Sequence, residues 1–273
     1  MGLRRLAGPF ALLVTQSWLA VAALRGKKSL VEENEYALMD AVEDRMWWYR
    51  AMHAHALRAL AHLLPTARVL DAGCGTGGFL AKLRKALPRG DLFGIEYAGS
   101  AASRAAAKAG AHVAGGTVNA LPFPDGTFDA LVSLDVICHR GVEQAAALAE
   151  FHRVLRPGGL LVLNLPGHEW LRSAHDTRVH TARRYERSGV TASLIQAGFA
   201  AAAPVHWNAL LLPLMLLQRK VLKSDEAAAS DVAPFPPWLD ASLFSVCRLE
   251  AALLRGGLRF PVGGSLLATA TRP

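Results

Sequence analysis

The sequence predicts an α/β protein built on a doubly wound parallel sheet. Short apolar runs alternate with helix-like stretches from residue 68 onward, a glycine-rich turn follows the first run, and an acidic residue ends the second. Strands that alternate with helices pair in parallel, because each crossover helix returns the chain to the same end of the sheet. The expected strands are residues 68–71, 91–95, 111–114, 128–134, 160–165, 199–206 and 265–270.

A helical cap is expected before the first strand. Residues 30–64 carry large apolar residues at helical spacing in an Ala/Leu-rich run that a proline ends. Trp47 and Trp48 either pack this cap onto the core or cover a binding pocket. His53 and His55 are two residues apart and therefore face different sides of a helix. We expect core or solvated histidines and no metal site.

The first strand runs into a turn that predicts a nucleotide-like ligand. Residues 69–78 read VLDAGCGTGG. Glycines let the backbone adopt left-handed conformations and approach a ligand closely, and the N-terminus of the following helix presents free N–H groups. Asp71 lies inside the turn and would repel the pyrophosphate of a dinucleotide, so it suits a ligand with a cationic end. Cys74 is expected to pack under the turn rather than to act as a nucleophile.

With this turn and three later segments, the chain resembles the class I S-adenosylmethionine (SAM)-dependent methyltransferases, in the branch of type 11 and ubiquinone-biosynthesis methyltransferases. The later segments are LFGIE at 92–96, LPFPDGTFDALVSLDVICH at 121–139 and EFHRVLRPGGLLVLNLP at 150–166. The resemblance extends over about residues 30–273. It implies a Rossmann-like sheet of seven strands with the last one antiparallel, SAM as the cofactor, and a methyltransferase activity.

The resemblance also implies which residues hold SAM. Glu96 ends the second strand, where a carboxylate accepts hydrogen bonds from ribose hydroxyls. Thr117 stands where the family usually has an acid beside the adenine amino group, which weakens that contact by roughly 1 kcal/mol. The expected cofactor-binding residues are Asp71, Gly73, Cys74, Gly75, Gly77, Glu96, Tyr97, Thr117, Val118, Asn119, Leu134 and Asp135.

Histidines are the candidate catalytic residues. Methyl transfer from a sulfonium is an in-line displacement, and a proton acceptor helps when the acceptor group is a hydroxyl or an acidic carbon. His139 follows the fourth strand, and His175 and His180 follow the fifth, at the edge where open α/β sheets bind ligands. Asp176 could orient one of them. The alternative is that all three are loop residues with structural hydrogen bonds.

A helical insertion is expected at residues 208–258, between the sixth and seventh strands. It contains LLLPLMLL at 210–217, followed by basic residues. Such a stretch lines a lipophilic pocket, lies on a membrane surface or packs on the sheet. Together with the apolar N-terminus, it favours a small hydrophobic acceptor, such as a lipid, a prenylated molecule or a polyketide-like molecule.

Composition narrows the alternatives. The net charge is +8, but the basic residues are spread along the chain without interleaved aromatic residues, so no nucleic-acid partner is expected. The residues after the fourth strand, Asp-Val-Ile-Cys at 135–138, also lack the (D/N)-P-P-(Y/F/W) pattern of nucleic-acid amino-methyltransferases.

Three widely spaced cysteines indicate neither a disulfide framework nor a metal site. A non-catalytic SAM-binding partner protein remains the main alternative to an enzyme.

The N-terminal segment favours contact with a membrane. Residues 6–24 are apolar and uncharged and lie between basic clusters, but they include polar residues at 15–17. We expect a cytoplasmic protein in which residues 1–28 associate with the inner face of the membrane, or form an incidental leader, ahead of a methyltransferase domain at 29–273. Cleaved export is a third interpretation, which would separate the domain from its cofactor.

Overall fold

The computed structural model describes residues 33–173, 176–177, 179–201, 204–221 and 235–273. Two helices, α1 (Glu33–Val42) and α2 (Trp47–Ala59), precede the sheet. The chain then continues through β1 (Arg68–Ala72), α3 (Gly78–Ala86), β2 (Asp91–Glu96), α4 (Gly99–Ala109), β3 (His112–Gly115), β4 (Phe128–Leu134), α5 (Gln144–Val154), β5 (Leu155–Pro166), α6 (Arg187–Gln196), β6 (Ala200–Ala201), β7 (Val205–Trp207), α7 (Leu212–Val221), α8 (Pro237–Arg255) and β8 (Ser265–Thr271).

The sheet has the predicted topology. Its strand order is β3-β2-β1-β4-β5-β8-β6, and β7 also pairs with β8. β1 to β5 pair in parallel, whereas β8 is antiparallel to β5, β6 and β7. The antiparallel last strand is therefore confirmed. The order reverses between β1 and β4, which opens a crevice at the carboxyl ends of these two strands.

Two strands differ from their predicted limits. Within and just beyond the expected strand at 199–206, the structure describes two segments, β6 and β7, and residues 202–203 between them lie outside the described residues. β5 begins at Leu155 rather than at residue 160, because the Arg-Pro-Gly-Gly stretch at 156–159 stays in the strand as an irregularity in its pairing with β4.

Helices cover both faces of the sheet, as a doubly wound fold requires. Consecutive residues of β1 point to opposite faces of the sheet, so Val69 and Leu70 belong to different apolar clusters. α5 and α6 contribute to the cluster on one face, and α2, α3 and α4 to the cluster on the other. The strands are thus buried on both sides, and only their ends are available to a ligand.

The cap and the insertion pack on each other. Trp47 of α2 lies in an apolar cluster with Trp207 of β7 and Leu243 of α8. Asp240 of α8 accepts hydrogen bonds from the backbone N–H of Trp47 at 2.6 Å and from the Arg50 guanidinium at 3.0 Å. α8, which lies within the predicted insertion, therefore packs on the cap. Within the described ranges, no helix has the length and hydropathy needed to cross a bilayer.

Glu250 of α8 fixes the turn that leads into α7. Its buried carboxylate accepts hydrogen bonds from the backbone N–H groups of Asn208, Ala209 and Leu210 at 2.5, 2.8 and 2.8 Å. Glu250→Ala would leave three donors without this partner. We expect it to lower the free energy of unfolding by about 2–4 kcal/mol, measured by urea denaturation. Ser245→Ala, on the exposed side of α8, is the control and should change stability by less than about 0.5 kcal/mol. Equal stability of the two variants would contradict this role.

Candidate functional site

The glycine-rich turn between β1 and α3 has the expected shape. Gly73, Gly75 and Gly77 have positive φ angles of 89°, 53° and 90°. A Cβ added at Gly73 would lie 2.3 Å from the side chain of Val136, and one added at Gly77 would lie 2.6 Å from the backbone of Ala105. These glycines are therefore required by backbone conformation and by close packing.

Glu96 lies beside this turn. Its Oε1 accepts hydrogen bonds from the Tyr36 hydroxyl and the Ala98 N–H at 3.0 Å each, and its Oε2 accepts one from the Gly75 N–H at 2.9 Å. Burial raises the pKa of the carboxyl, although these hydrogen bonds oppose the shift. The carboxylate thus joins the end of β2, the glycine turn and α1, at the place where the family resemblance expects ribose.

α1 covers the turn, a feature that the sequence did not predict. Glu43, just after α1, accepts hydrogen bonds at 2.6 Å from Thr76 in the turn and from Lys108 of α4. The methyl group of Met39 lies 2.9 Å from the position that a Cβ at Gly75 would take. Patterns of neighbouring residues in the sequence cannot predict these contacts, because the residues of α1 are far in sequence from the turn and from α4.

Asp71 is a buried carboxylate without a side-chain hydrogen bond from any described residue. Only 2% of its surface is exposed. Its pKa is raised well above the usual range, first by burial and then by the nearby Glu96 and Glu43 carboxylates. A cationic ligand group would relieve both effects. This arrangement, together with the glycine cradle, fits a ligand that is cationic at one end.

We expect the affinity for SAM to rise with pH as Asp71 ionises, since only the carboxylate attracts a cation. Asp71→Asn should remove most of this rise and weaken binding at pH 8 about 10- to 100-fold, the value of one charge-assisted hydrogen bond. Calorimetry between pH 6 and 9 measures the effect. The control is Asp125→Asn, which changes an exposed carboxylate. Identical pH profiles for Asp71→Asn and the wild type would exclude Asp71 from binding.

The residues after β3 are placed beside the next loop. Asn119 donates from Nδ2 to the Gly141 carbonyl at 3.0 Å and accepts at Oδ1 from the Glu143 N–H at 2.9 Å. Both ends of its amide are therefore occupied, and the Thr117 hydroxyl is the better candidate for the adenine edge. Val118 is buried in the core.

The remaining expected cofactor residues lie around the same crevice. Cys74 is buried beneath the turn, close to Gly94 of β2, and burial raises the pKa of its thiol well above the usual range. A neutral buried thiol is not a nucleophile. Tyr97 follows Glu96 directly, Leu134 ends β4 beside β1, and Asp135 comes directly after β4. Their contacts with a cofactor remain predictions.

His139 and His180 come together on paired loop segments. His139 bridges to Thr181, and the Arg140 N–H donates to the His180 carbonyl at 3.0 Å. Burial lowers the pKa of His139, whose ring lies beside the backbone carbonyls of Val179 and His180. The backbone therefore accounts for this pairing, and a catalytic role for either ring remains a prediction. His175 lies outside the described residues.

The carboxylate of Asp176 pairs with Arg184, and its role in orienting a histidine stays a prediction. The guanidinium forms two hydrogen bonds of 3.0 Å to the two carboxylate oxygens, and both side chains are buried. Arg183 donates to the backbone carbonyls of Ile137 and Val142. The arginines thus close the loop over the segment that follows β4.

Comparison with known proteins identifies the family. Residues 70–163 match the model of the family described as Methyltransferase domain. A demethylmenaquinone methyltransferase of Deinococcus radiodurans is 38% identical over 129 residues, 44% of this chain and 49% of the relative. A Mycobacterium tuberculosis protein named "probable S-adenosylmethionine-dependent methyltransferase" is 28% identical over 236 residues, 83% of this chain and 84% of the relative. Residues 70–163 therefore form a methyltransferase domain, and the similarity to a probable SAM-dependent methyltransferase extends over most of the chain.

The similarity to some methyltransferase relatives covers only part of their length. The chain spans about half the length of the Deinococcus protein, and an Arabidopsis thaliana 24-methylenesterol C-methyltransferase is 31% identical over 44% of this chain and 34% of its own. Geranyl diphosphate C-methyltransferase from Streptomyces coelicolor, solved with Mg²⁺, geranyl diphosphate and S-adenosylhomocysteine, has a TM-score of 0.57 at 14% identity, covering 82% of this chain and 78% of that one. This likeness supports the fold.

Proposed function

We propose that this protein transfers a methyl group from SAM to a small hydrophobic acceptor, at oxygen or carbon. The observation that carries the proposal is the buried Asp71, which accepts no side-chain hydrogen bond from a described residue and lies beside the glycine turn and Glu96. Together these groups fit the cationic and ribose parts of SAM. SAM supplies a methyl group already activated on a sulfonium. The protein therefore has to bind, orient and exclude water.

The aromatic residues near the other half of the crevice support a hydrophobic acceptor. Trp48 and Tyr49 of α2 are only partly buried, and Trp48 stacks on Trp207 with ring centroids 6.4 Å apart. Aromatic surfaces of this kind bind flat apolar molecules well. Three proteins compared above are named for a quinone, a sterol and a prenyl diphosphate as substrates.

The test is acceptor-dependent turnover with isotopically labelled SAM. Purified protein is incubated separately with a reduced 2-polyprenyl-1,4-naphthoquinone, a sterol, geranyl diphosphate and a tRNA pool, and the product is extracted and counted. We expect label in an organic-soluble product. Label in tRNA would instead indicate a nucleic-acid methyltransferase. SAM binding without any labelled product would favour a non-catalytic SAM-binding protein.

We also propose that residues 1–28 bring a cytoplasmic enzyme to the inner face of the membrane. The stretch at 6–24 is apolar, and in α7 the side chains of Leu214 and Leu217 are 50% and 58% exposed. Deleting Met1 to Lys28 should leave SAM affinity unchanged while moving the protein from the membrane fraction to the soluble fraction. If the full-length and truncated proteins both remain soluble, this part of the proposal fails.

A further inference from the structure

The carboxyl ends of β4, β5 and β7 are joined by a chain of three side chains. The Trp207 indole Nε1–H donates to Asn164 Oδ1 at 2.8 Å. Asn164 Nδ2 in turn lies 3.1 Å from each carboxylate oxygen of Asp135, to which it donates. Trp207 and Asn164 are fully buried, whereas Asp135 is partly exposed at the crevice. The chain therefore runs from the core to the candidate site.

The order of donors and acceptors in this chain leaves one arrangement. An indole can only donate, so it requires the oxygen of the Asn164 amide. The NH₂ group of Asn164 must then face Asp135, which accepts. The backbone N–H of Asp135 also donates to the Asn164 carbonyl at 2.9 Å. Asp135 is thus held through both its backbone and its side chain.

The backbone of Asp135 is in a conformation that L residues adopt infrequently. Its φ is 54°, in the left-handed region that is mostly reserved for glycine. Strain of this kind persists where the surrounding structure holds it, and such positions cluster at functional sites. Here the Asn164 contacts supply that restraint.

Asp135 faces the half of the crevice opposite the cofactor turn. β4 pairs with β1 on one side and with β5 on the other. The glycine turn and Glu96 follow β1 and β2, whereas the side-chain partner of Asp135 is on β5 and that partner's own donor is on β7. The carboxylate is therefore oriented toward the acceptor side.

The charges around Asp135 leave it without a salt bridge among the described residues. Burial raises the pKa of its carboxyl to about 6, opposed by the Asn164 hydrogen bond and the Arg184 charge, while the Asp176 charge raises it further. Arg184 is already paired with Asp176. Burial also raises the pKa of the neighbouring Tyr49 and Cys138 side chains, which stay neutral. Asp135 is thus an ionised but unusually basic carboxylate at neutral pH.

We infer that Asp135 is the proton acceptor for the methyl acceptor, and that Asn164 and Trp207 are its positioning residues. This inference rests on the proposed function. The proton of an acceptor O–H passes to an Asp135 oxygen, and the electron pair left on that oxygen forms the bond to the methyl carbon. When a ring carbon conjugated to that oxygen forms the bond instead, the hydrogen on that carbon afterwards leaves as a proton to solvent. The methyl–sulfur bond breaks as that bond forms, and S-adenosylhomocysteine leaves with the electron pair of the broken bond.

A carboxylate as the proton acceptor favours a methyl acceptor with a phenolic or enolic hydroxyl. A phenol has a pKa of about 10, roughly four above the value of about 6 for Asp135. An unactivated hydroxyl, with a pKa near that of water at about 15.7, lies roughly ten above it. A carboxylate can remove the proton of a phenol at a useful rate, but not the proton of an unactivated hydroxyl. Reduced quinones carry such a hydroxyl.

The experiment compares Asp135→Asn with the wild type, using a 2-polyprenyl-1,4-naphthoquinol with two isoprene units as the acceptor. The wild-type kcat/KM should rise with pH through about 6, because the base must be ionised. Asp135→Asn should lack this rise and be about 10²- to 10⁴-fold slower at pH 8, the usual loss for a positioned base. Asp135 was expected among the cofactor residues, but its carboxylate is held by Asn164 on the acceptor side, so the affinity of Asp135→Asn for SAM by calorimetry should stay within about twofold.

Three further variants sharpen the result. Asp135→Glu keeps a carboxylate and should keep the rise with pH. Trp207→Phe removes the donor that orients Asn164. We therefore expect kcat to fall and the pH at which kcat/KM rises to change. Asp125→Asn, an exposed carboxylate paired with Arg153, is the control and should match the wild type in both rate and pH profile.

Several outcomes overturn the inference while leaving methyl transfer intact. One is wild-type turnover in Asp135→Asn, and another is a parallel loss of SAM affinity in that variant. A third is a rise of kcat/KM with pH that disappears in His139→Ala but persists in Asp135→Asn. Failure of the proposed function looks different: the wild-type protein binds SAM but methylates none of the acceptors tested, which overturns both.

Discussion

Glu96→Ala is expected to weaken SAM binding about 10- to 100-fold, the equivalent of roughly 1.5–3 kcal/mol for a charge-assisted hydrogen bond. The carboxylate is placed for ribose at the end of β2, and it also accepts the N–H of Gly75 in the turn. Its removal would therefore take away a ligand contact and loosen the glycine cradle together. Isothermal calorimetry with SAM and S-adenosylhomocysteine gives the affinities directly.

Two further variants serve as comparisons. Tyr36→Phe removes the hydrogen bond from α1 to Glu96 but keeps the carboxylate and its Gly75 contact, so a much smaller change there would assign the loss to the carboxylate and not to its contact with α1. Glu169→Gln alters a largely exposed carboxylate and should bind SAM normally. Unchanged affinity in Glu96→Ala would remove Glu96 from the cofactor site.

Gly73→Ala is expected to abolish measurable SAM binding and to destabilise the fold by about 2–4 kcal/mol, from a left-handed backbone and an overpacked contact. The added Cβ would lie 2.3 Å from Val136 Cγ2, at a φ of 89°. The turn would have to move away from β4. Thermal unfolding and calorimetry measure the two consequences.

The double variant Gly73→Ala/Val136→Ala removes the clash but leaves the backbone strain, so it should recover part of the stability. Gly189→Ala is the matched control, because it lies inside α6 and its Cβ would meet nothing within 4 Å. That variant should be neutral or more stable by up to about 1 kcal/mol. Wild-type SAM affinity in Gly73→Ala would contradict the close-approach role of the turn.

The strands and the glycine turn could be predicted because their signals are local. Residues 68–78 carry an apolar run, an acid and closely spaced glycines within eleven positions, and each of these features determines backbone shape without distant partners.

The acceptor half could not be predicted in the same way. Asn164 binds Trp207, 43 residues away in sequence. In the cofactor half, the Tyr36–Glu96 contact likewise joins residues 60 apart. Only the tertiary fold brings these side chains together. One signal was available: Asn164 is a lone amide in the apolar run LLVLNLP, and a buried amide requires partners. Choosing bases by residue type favoured the histidines over Asp135.

The packing of α8 on α2 has a consequence for engineering new acceptor specificity. Residues that form the acceptor side come from both ends of the sequence, and Asp240 ties them together through Trp47 and Arg50. A chimera that imports the 208–258 segment from a relative would leave those partners behind. Exchange of acceptor preference should therefore succeed only when α2 is transplanted together with the insertion. The glycine turn does not need to be exchanged.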